Sequence, residues 1–235
     1  LEDTREKRRE LRIKRTKKLF IEATYHLISE YGIKNVSIRK LADVTGHGTA
    51  TLYSYFEDFD ELIVFASIKD RREYLLELSR AIHPGMSTLE QYKMLYEIFN
   101  AYSFAAPTLY TNMYFGAHAD RIGEIFDEYY ALYPDEEMVL TGLLYEALQK
   151  RNLYLCDQVF TKRLAQEGVI SPAHTDLIAD MIVRLQQTFL YDLTVRPDLD
   201  RTQQNRKFME MLDHIIETST QGAAPNELTP AIYAD

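Results

Sequence analysis

A single cysteine, no tryptophan, nine glycines and seven prolines in 235 residues remove several protein classes at once. One thiol, Cys156, excludes an intrachain disulfide and a thiolate metal cluster. The apolar runs are short and broken by charges, so no ordinary transmembrane helix is expected. Nothing in the charged N-terminal stretch resembles a secretory signal. The first residue is Leu rather than Met, so the natural start is expected to precede it. A cytoplasmic location is the plain expectation. What is abundant is apolar: 46% of the residues are hydrophobic, enough for a sizeable core.

The charge is unevenly spread. Residues 1–56 carry 12 Lys and Arg against 7 Asp and Glu, a net of +5; the remainder carries 15 against 29, a net of −14, giving the −9 of the whole chain. An acidic chain usually argues against nucleic acid, but a basic head on an acidic body leaves that partner open. A merely solvated helix end accounts for the same excess.

Apolar residues recur at three and four throughout, and strand-like alternation is scarce. The spacing predicts a first helix over Arg5–Tyr31, with Leu19, Phe20, Ala23, Leu27 and Ile28 on one stripe and Gly32 at its end. A second helix starts at Ser37 and stops at Gly46. A third covers about Thr49–Phe56 and a fourth about Asp58–Ile82. Further helices are expected over 87–105, 107–118, 121–133, 135–150, 152–167, 173–195 and 200–219. The tail from Gly222, with Pro225 and Pro230, reads as an arm or a disordered end.

Residues 37–56, "SIRKLADVTGHGTATLYSYF", form two helices too short to stand alone, so they must pack on the first. Leu41, Ala42, Leu52 and Phe56 supply the inner face. Gly46 can take the left-handed conformation that turns the chain sharply. Thr49, Thr51, Tyr53, Ser54 and Tyr55 then remain on an uncharged, hydroxyl-rich outer face. Such a face suits a DNA major groove, with hydroxyls reaching bases or phosphates and cations holding the backbone. A packing corner between helices fits the same spacing.

These residues resemble the tetracycline-repressor-like (TetR) family of bacterial regulators. The matching positions are Ala23 and Gly32, Ser37 with Leu41-Ala42, Gly46, and Thr51-Leu52-Tyr53-x-Tyr55-Phe56, followed by Leu62. The likeness is specific over about residues 16–62 and architectural beyond. It implies an all-α chain with a three-helix, helix-turn-helix DNA-binding head, residues 1–56. A ligand-binding and dimerisation body, 57–222, and a tail, 223–235, follow. Carried across, Thr49, Ala50 and Thr51 face bases, Tyr53 and Tyr55 contact phosphates, Arg39 lies at a phosphate or base edge, and Thr45 sits near the backbone.

Three departures bear on that head. His47 replaces the aliphatic residue expected after the turn glycine, where a hydrophobic staple onto Leu52 is expected; it is placed at the DNA boundary. Gly48 replaces a capping hydroxyl at a cost of a few tenths of a kcal/mol. Phe59 stands where the family commonly places a phosphate-binding lysine. The run 5–18, with nine basic and two acidic residues, is expected to compensate by lying along DNA phosphates through Lys14, Arg15 and Lys17. A frayed, solvated helix end is the alternative.

Enzymatic signatures are absent. No histidine has Asp or Glu three residues before it, and there is no HExxH, GxxxxGK or nucleophile elbow. The i, i+4 pairs Glu22/His26 and Glu210/His214 read as surface pairs rather than metal ligands, so no metal and no cofactor are expected. Cys156 reads as a small core residue.

The body is rich in tyrosine, whose hydroxyl needs a partner when buried. Most of these rings must be core. From the resemblance, a pocket lining is assigned to a subset of Tyr92, Tyr96, Phe99, Tyr110, Met113, Tyr114, His118, Phe126, Tyr130 and Tyr145. Rings, one thioether and few charges favour an apolar or aromatic compound held by one or two hydrogen bonds. They argue against a highly charged metabolite, for which a pocket cation is expected. The last two helices carry broad apolar stripes, Leu177, Ile178, Met181, Ile182, Leu185 and Phe189 on one and Phe208, Met211, Leu212 and Ile215 on the other. These are expected to form a four-helix homodimer interface.

The function expected is therefore sequence-specific DNA binding at a near-palindromic operator by a homodimer, as a repressor released by a small molecule. The rival is a helical small-molecule-binding or enzymatic protein whose head no longer reads DNA. Phe59, His47 and Gly48 keep it open.

Overall fold

The computed structural model describes residues 2–83, 85–138 and 140–220; the tail assigned to 223–235 lies outside them. The described residues contain helices and turns and no strand. Helix α1, Glu2–Tyr31, ends at Gly32, whose φ of 75° only glycine adopts freely. Helix α2, Ile38–Thr45, begins because the Ser37 side chain accepts the Lys40 N–H at 3.3 Å. It ends at Gly46, which is left-handed at φ 68° and donates its N–H to the Ala42 carbonyl. Helix α3 is one turn, Thr49–Leu52, not the two expected. Gly48 gives it no side-chain cap, and residues 54–56 close as tight turns back onto Thr51 and Leu52.

The expected single helix over 58–82 is interrupted. Helix α4, Phe59–Lys69, stops at Asp70, and α5, Arg71–Ala81, continues beyond it. Every residue of α4 from Glu61 to Ile68 is buried, which marks a helix packed on all sides. It touches α1, α7 and α8.

Helices α6, Thr88–Ala105, α7, Pro107–Phe115, and α8, Ile122–Leu132, follow at close to the expected positions. The helix expected over 135–150 shrinks to α9, Gly142–Leu148. Gly142 has φ 66°, so a continuous right-handed helix cannot pass through it. Helices α10, Leu153–Gln166, α11, Thr175–Val195, and α12, Arg201–Thr218, complete the body.

Two apolar cores result. One centres on Tyr92, Phe104, Phe160, Leu190 and Phe208 within α6 and α10–α12. The other starts in the head with Phe20, Ile21, Leu41, Leu52 and Phe56, runs through Leu62 and Phe65 of α4, and ends on Ile125, Phe126 and Tyr129 of α8. Each large side chain so buried contributes about 1.5–3 kcal/mol. The head core therefore does not close at Phe56; α4 and α8 complete it. Leu19, expected on the inner stripe of α1, is instead 41% exposed, because the helix turns Phe20, Ile21, Ala23 and Thr24 inward.

The stripes assigned to the dimer divide in two. Ile178, Ile182, Phe189, Phe208 and Leu212 are buried within the protomer's own core. Helices α6, α7 and α10 already cover those faces of α11 and α12, so these five are not available to a partner. Leu177, Met181 and Met211 remain exposed, and Leu185 and Ile215 are half-buried.

Candidate DNA-reading face and effector cavity

The unit 37–56 folds as a helix-turn-helix on α1. Leu41, Leu52 and Phe56 are buried, and Phe56 meets Phe20 of α1 edge-to-face with centroids 6.3 Å apart. That inward packing leaves Thr49, Ala50, Tyr53 and Ser54 exposed, and Thr45, His47, Thr51 and Tyr55 half-buried beside them. Arg39 on α2 and Lys14 and Arg15 on α1 are also exposed. The His47 ring packs edge-to-face on Phe20 at 5.5 Å, so the apolar role of its position is met on α1. Its Nδ1 lies 2.9 Å from the Thr45 carbonyl and donates to it, since a carbonyl can only accept.

Lys17 departs from the role assigned to it. Its ammonium pairs with Glu128 of α8 and lies over the rings of Phe56 and Phe65 at 5.1 and 5.3 Å. It faces the body, not DNA, because it is one turn from the buried Phe20–Ile21 pair on the inner side of α1.

It is one of several polar ties between head and body. Lys69, at the end of α4, reaches Glu22 of α1 and Glu136 after α8, both at 2.9 Å. Arg121 pairs with Glu57 and lies 3.7 Å from the buried Glu61. Asp58 caps α4 by accepting the Glu61 N–H at 2.8 Å and also binds His118 Nε2 at 2.9 Å. Burial opposes ionisation there, but those hydrogen bonds hold the Asp58 carboxyl below its ordinary range. His118 is thus a junction residue and not part of a pocket wall.

Inside the body a cavity of about 30 Å³ is walled by α5, α6, α7, α8, α9 and α10. Four of the predicted lining residues meet there: Tyr96, Phe99, Tyr114 and Phe126. Tyr130 and Tyr145 line a second space of about 30 Å³ that shares Arg71, Phe126, Leu148 and Arg151 with the first. Tyr92 stands behind the wall, stacked on Phe160 at 5.2 Å. Tyr110 packs on Phe99 and Tyr114, and Met113 belongs to the head-side core.

The residues missed are the charged ones. Arg71 lines both spaces, is 7% exposed, and makes no ion pair or hydrogen bond among the described residues; its Nε is buried without a partner. Its guanidinium carbon lies 4.5 Å from the Phe126 centroid and 5.7 Å from that of Tyr74. The pocket cation whose absence argued against a charged ligand is therefore present. Asp157, 1% exposed, accepts hydrogen bonds from Tyr92 at 2.9 Å and from Tyr96 at 2.7 Å. Burial pushes its carboxyl up to about 7, against the pull of those two hydroxyls. Both lay on a legible signal. Arg71 falls in phase with Val64, Ile68, Leu75 and Leu78, and Asp157 with Leu153, Phe160 and Leu164. A charge in an apolar stripe marks a buried site. Among the described residues no cluster of three or more His, Cys, Asp or Glu is placed to hold a metal ion, and no helix is long and apolar enough to cross a membrane.

An exposed hydroxyl-rich turn on a helix-turn-helix, tied to a helical body with an internal cavity, defines a helix-turn-helix transcriptional regulator. Residues 20–64 match the model for bacterial regulatory proteins of the tetR family. The chain is 24% identical over 126 residues to an HTH-type transcriptional regulator of Staphylococcus aureus, covering 51% of this chain and 68% of that one. It is similar in structure to Thermus thermophilus FadR, a TetR-family repressor solved with lauroyl-CoA, with a TM-score of 0.57 and 12% identity. That match covers 89% of this chain and 97% of the other. A TetR transcription regulator of Haloarcula marismortui is similar at TM-score 0.52 and 12% identity, covering 87% and 98%. The match over residues 20–64 and these likenesses make the chain a DNA-binding transcriptional regulator similar to those of the tetR family.

Proposed function

We propose that the chain acts in the cytoplasm as a homodimeric repressor, reading a near-palindromic operator and released when a small molecule enters the body. The observation that carries the reading is the face formed by Thr49, Ala50 and Tyr53, exposed while Leu41, Leu52 and Phe56 anchor the unit to α1. Thr49, Ala50 and Thr51 face bases; Tyr53 and Tyr55 hold phosphates, with Arg39 and Thr45 beside them and His47 at the boundary. Lys14 and Arg15 extend the phosphate contact along α1. The dimer forms through the outer faces of α11 and α12, where Leu177, Met181, Tyr191, Val195 and Met211 are all more than 40% exposed. Two heads about one helical turn apart, roughly 34–36 Å or a small multiple, then demand a two-fold site.

Selection from random-sequence DNA by the purified chain tests this. The expected product is an inverted repeat whose preferred bases shift for Thr51→Val. Tyr53→Ala weakens binding to every sequence, and removal of residues 1–15 flattens the dependence of affinity on salt. Enrichment of no sequence at low salt overturns the DNA-reading role. A single half-site, or a monomer in sedimentation, overturns the dimer.

A further inference from the structure

We infer that the body cavity takes an organic carboxylate with an apolar or aromatic body, its anionic end paired with Arg71. This rests on the reading of the cavity as the effector site and deepens it by naming the ligand class. An arginine in an apolar interior is ordinarily paired or neutralised by hydrogen bonds, because an isolated buried charge is among the most costly groups a fold can hold. Arg71 has neither among the described residues; its two ring neighbours, Phe126 and Tyr74, lie within cation–π reach. The nearby charges are already engaged. Arg151 is held by Asp127 and Glu137, and Asp157 by Tyr92 and Tyr96. Arg71 is left as the one wall cation with its guanidinium donors unused among the described residues. A planar fork of that kind is matched by a carboxylate.

The remaining wall favours an apolar body on that anion. Leu95, Tyr96, Phe99, Tyr114 and Leu153 face the same space. Each of the two spaces holds little more than one water, so a ligand must join them. The partition they share includes Leu148, the last residue of the seven-residue α9, and Arg151 in the turn that follows. Arg151 has φ 52°, a strained conformation for a residue with a side chain. Displacing that turn joins the two spaces beside Arg71 and relieves the strain.

Arg71 also occupies a point from which the head can be moved. It is the first residue of α5, directly after the interruption at Asp70, and α4 on the other side lies in the head core. Its other neighbour, Phe126, sits on α8, which holds α1 through Glu128 and Lys17. A ligand anion at this site therefore bears on both elements that carry the head.

The test uses the full chain and two matched pairs, 2-naphthoate with 2-naphthamide and decanoate with decanamide. Thermal shift and calorimetry are read for wild type, Arg71→Met and Arg71→Lys, followed by operator affinity. Wild type should bind the carboxylate of at least one pair roughly tenfold to a hundredfold more tightly than its amide. Arg71→Met should remove that preference and raise the ligand-free melting temperature, since an unpaired buried charge is gone. Arg71→Lys should restore part of the preference. Equal affinity for acid and amide overturns the proposal, as does a carboxylate preference retained in Arg71→Met. If none of the four compounds binds wild type at millimolar concentration, the anion site is also overturned. Carboxylate binding lost in Arg71→Met but without effect on operator affinity supports the anion site and removes only its effector role.

Discussion

The proposed DNA-reading face and the proposed effector cavity are built by opposite means. The face draws on consecutive residues, 37–56, and keeps its hydroxyl-bearing side chains exposed or half-buried at the surface. The cavity draws one to three residues from each of α5, α6, α7, α8, α9 and α10 and buries two ionisable groups, Arg71 and Asp157. A reading surface can be set by local turn chemistry, whereas an internal site needs helices far apart in sequence to stay in register. The two meet in α8, which supplies core to the head and, through Phe126, wall to the cavity. Signal transfer between them requires a ligand that binds the two arrangements with different affinity.

The sharpest way to break the distinction between head and body is through the shared core. Phe20→Ala removes a ring that is 1% exposed and should cost about 3–5 kcal/mol. Because the head core runs on into α4 and α8, calorimetry should show one cooperative transition shifted downward. A separate low-temperature transition for the head would show that the two regions fold independently.

Next in size is the pH response of the cavity wall. Asp157 has a folded pKa of about 7 against an ordinary 3.8, so the folded state binds its proton more tightly than the unfolded chain. Its contribution to stability is fully present below about pH 4 and is lost as pH rises through about 7. Asp157→Asn should flatten that decline and leave the chain more stable than wild type at pH 8, by on the order of a few kcal/mol at most. Identical pH profiles of unfolding free energy would mean that the carboxyl is not held neutral by burial.

The smallest effect lies at the junction. Asp58→Ala removes the cap of α4 and leaves His118 without its partner. A loss of about 0.5–2 kcal/mol is expected, with operator affinity reduced more than effector affinity because α4 carries the head. Chemical denaturation with both binding assays measures it. An equal loss at both sites would show that the cap serves general stability alone.

The helix-turn-helix was legible because its information is local. Ser37 as a cap, Gly46 as a left-handed stop and the buried phase of Leu41, Leu52 and Phe56 follow from sequence spacing and steric rules, and each stands in the structure. The same reasoning extended α3 too far: after Leu52 the chain closes in tight turns rather than a second helical turn. It placed Lys17 on DNA because nothing local tells which face of α1 meets α8. Five of the ten residues assigned to the dimer proved to be protomer core for a similar reason: a wide apolar stripe does not say which neighbour covers it.

The sequence by itself determined a helical chain with a basic, hydroxyl-bearing head, because cap chemistry, glycine conformation and the 3.6-residue period act within a few residues of one another. Only the tertiary structure decided that Tyr96, Phe99, Tyr114 and Phe126 share a wall and that Arg71 stands unpaired among them. It also moved Met113 and His118 to the head side of the body. Those outcomes depend on the azimuth at which each helix docks, which is set by packing across the whole core and by no single segment.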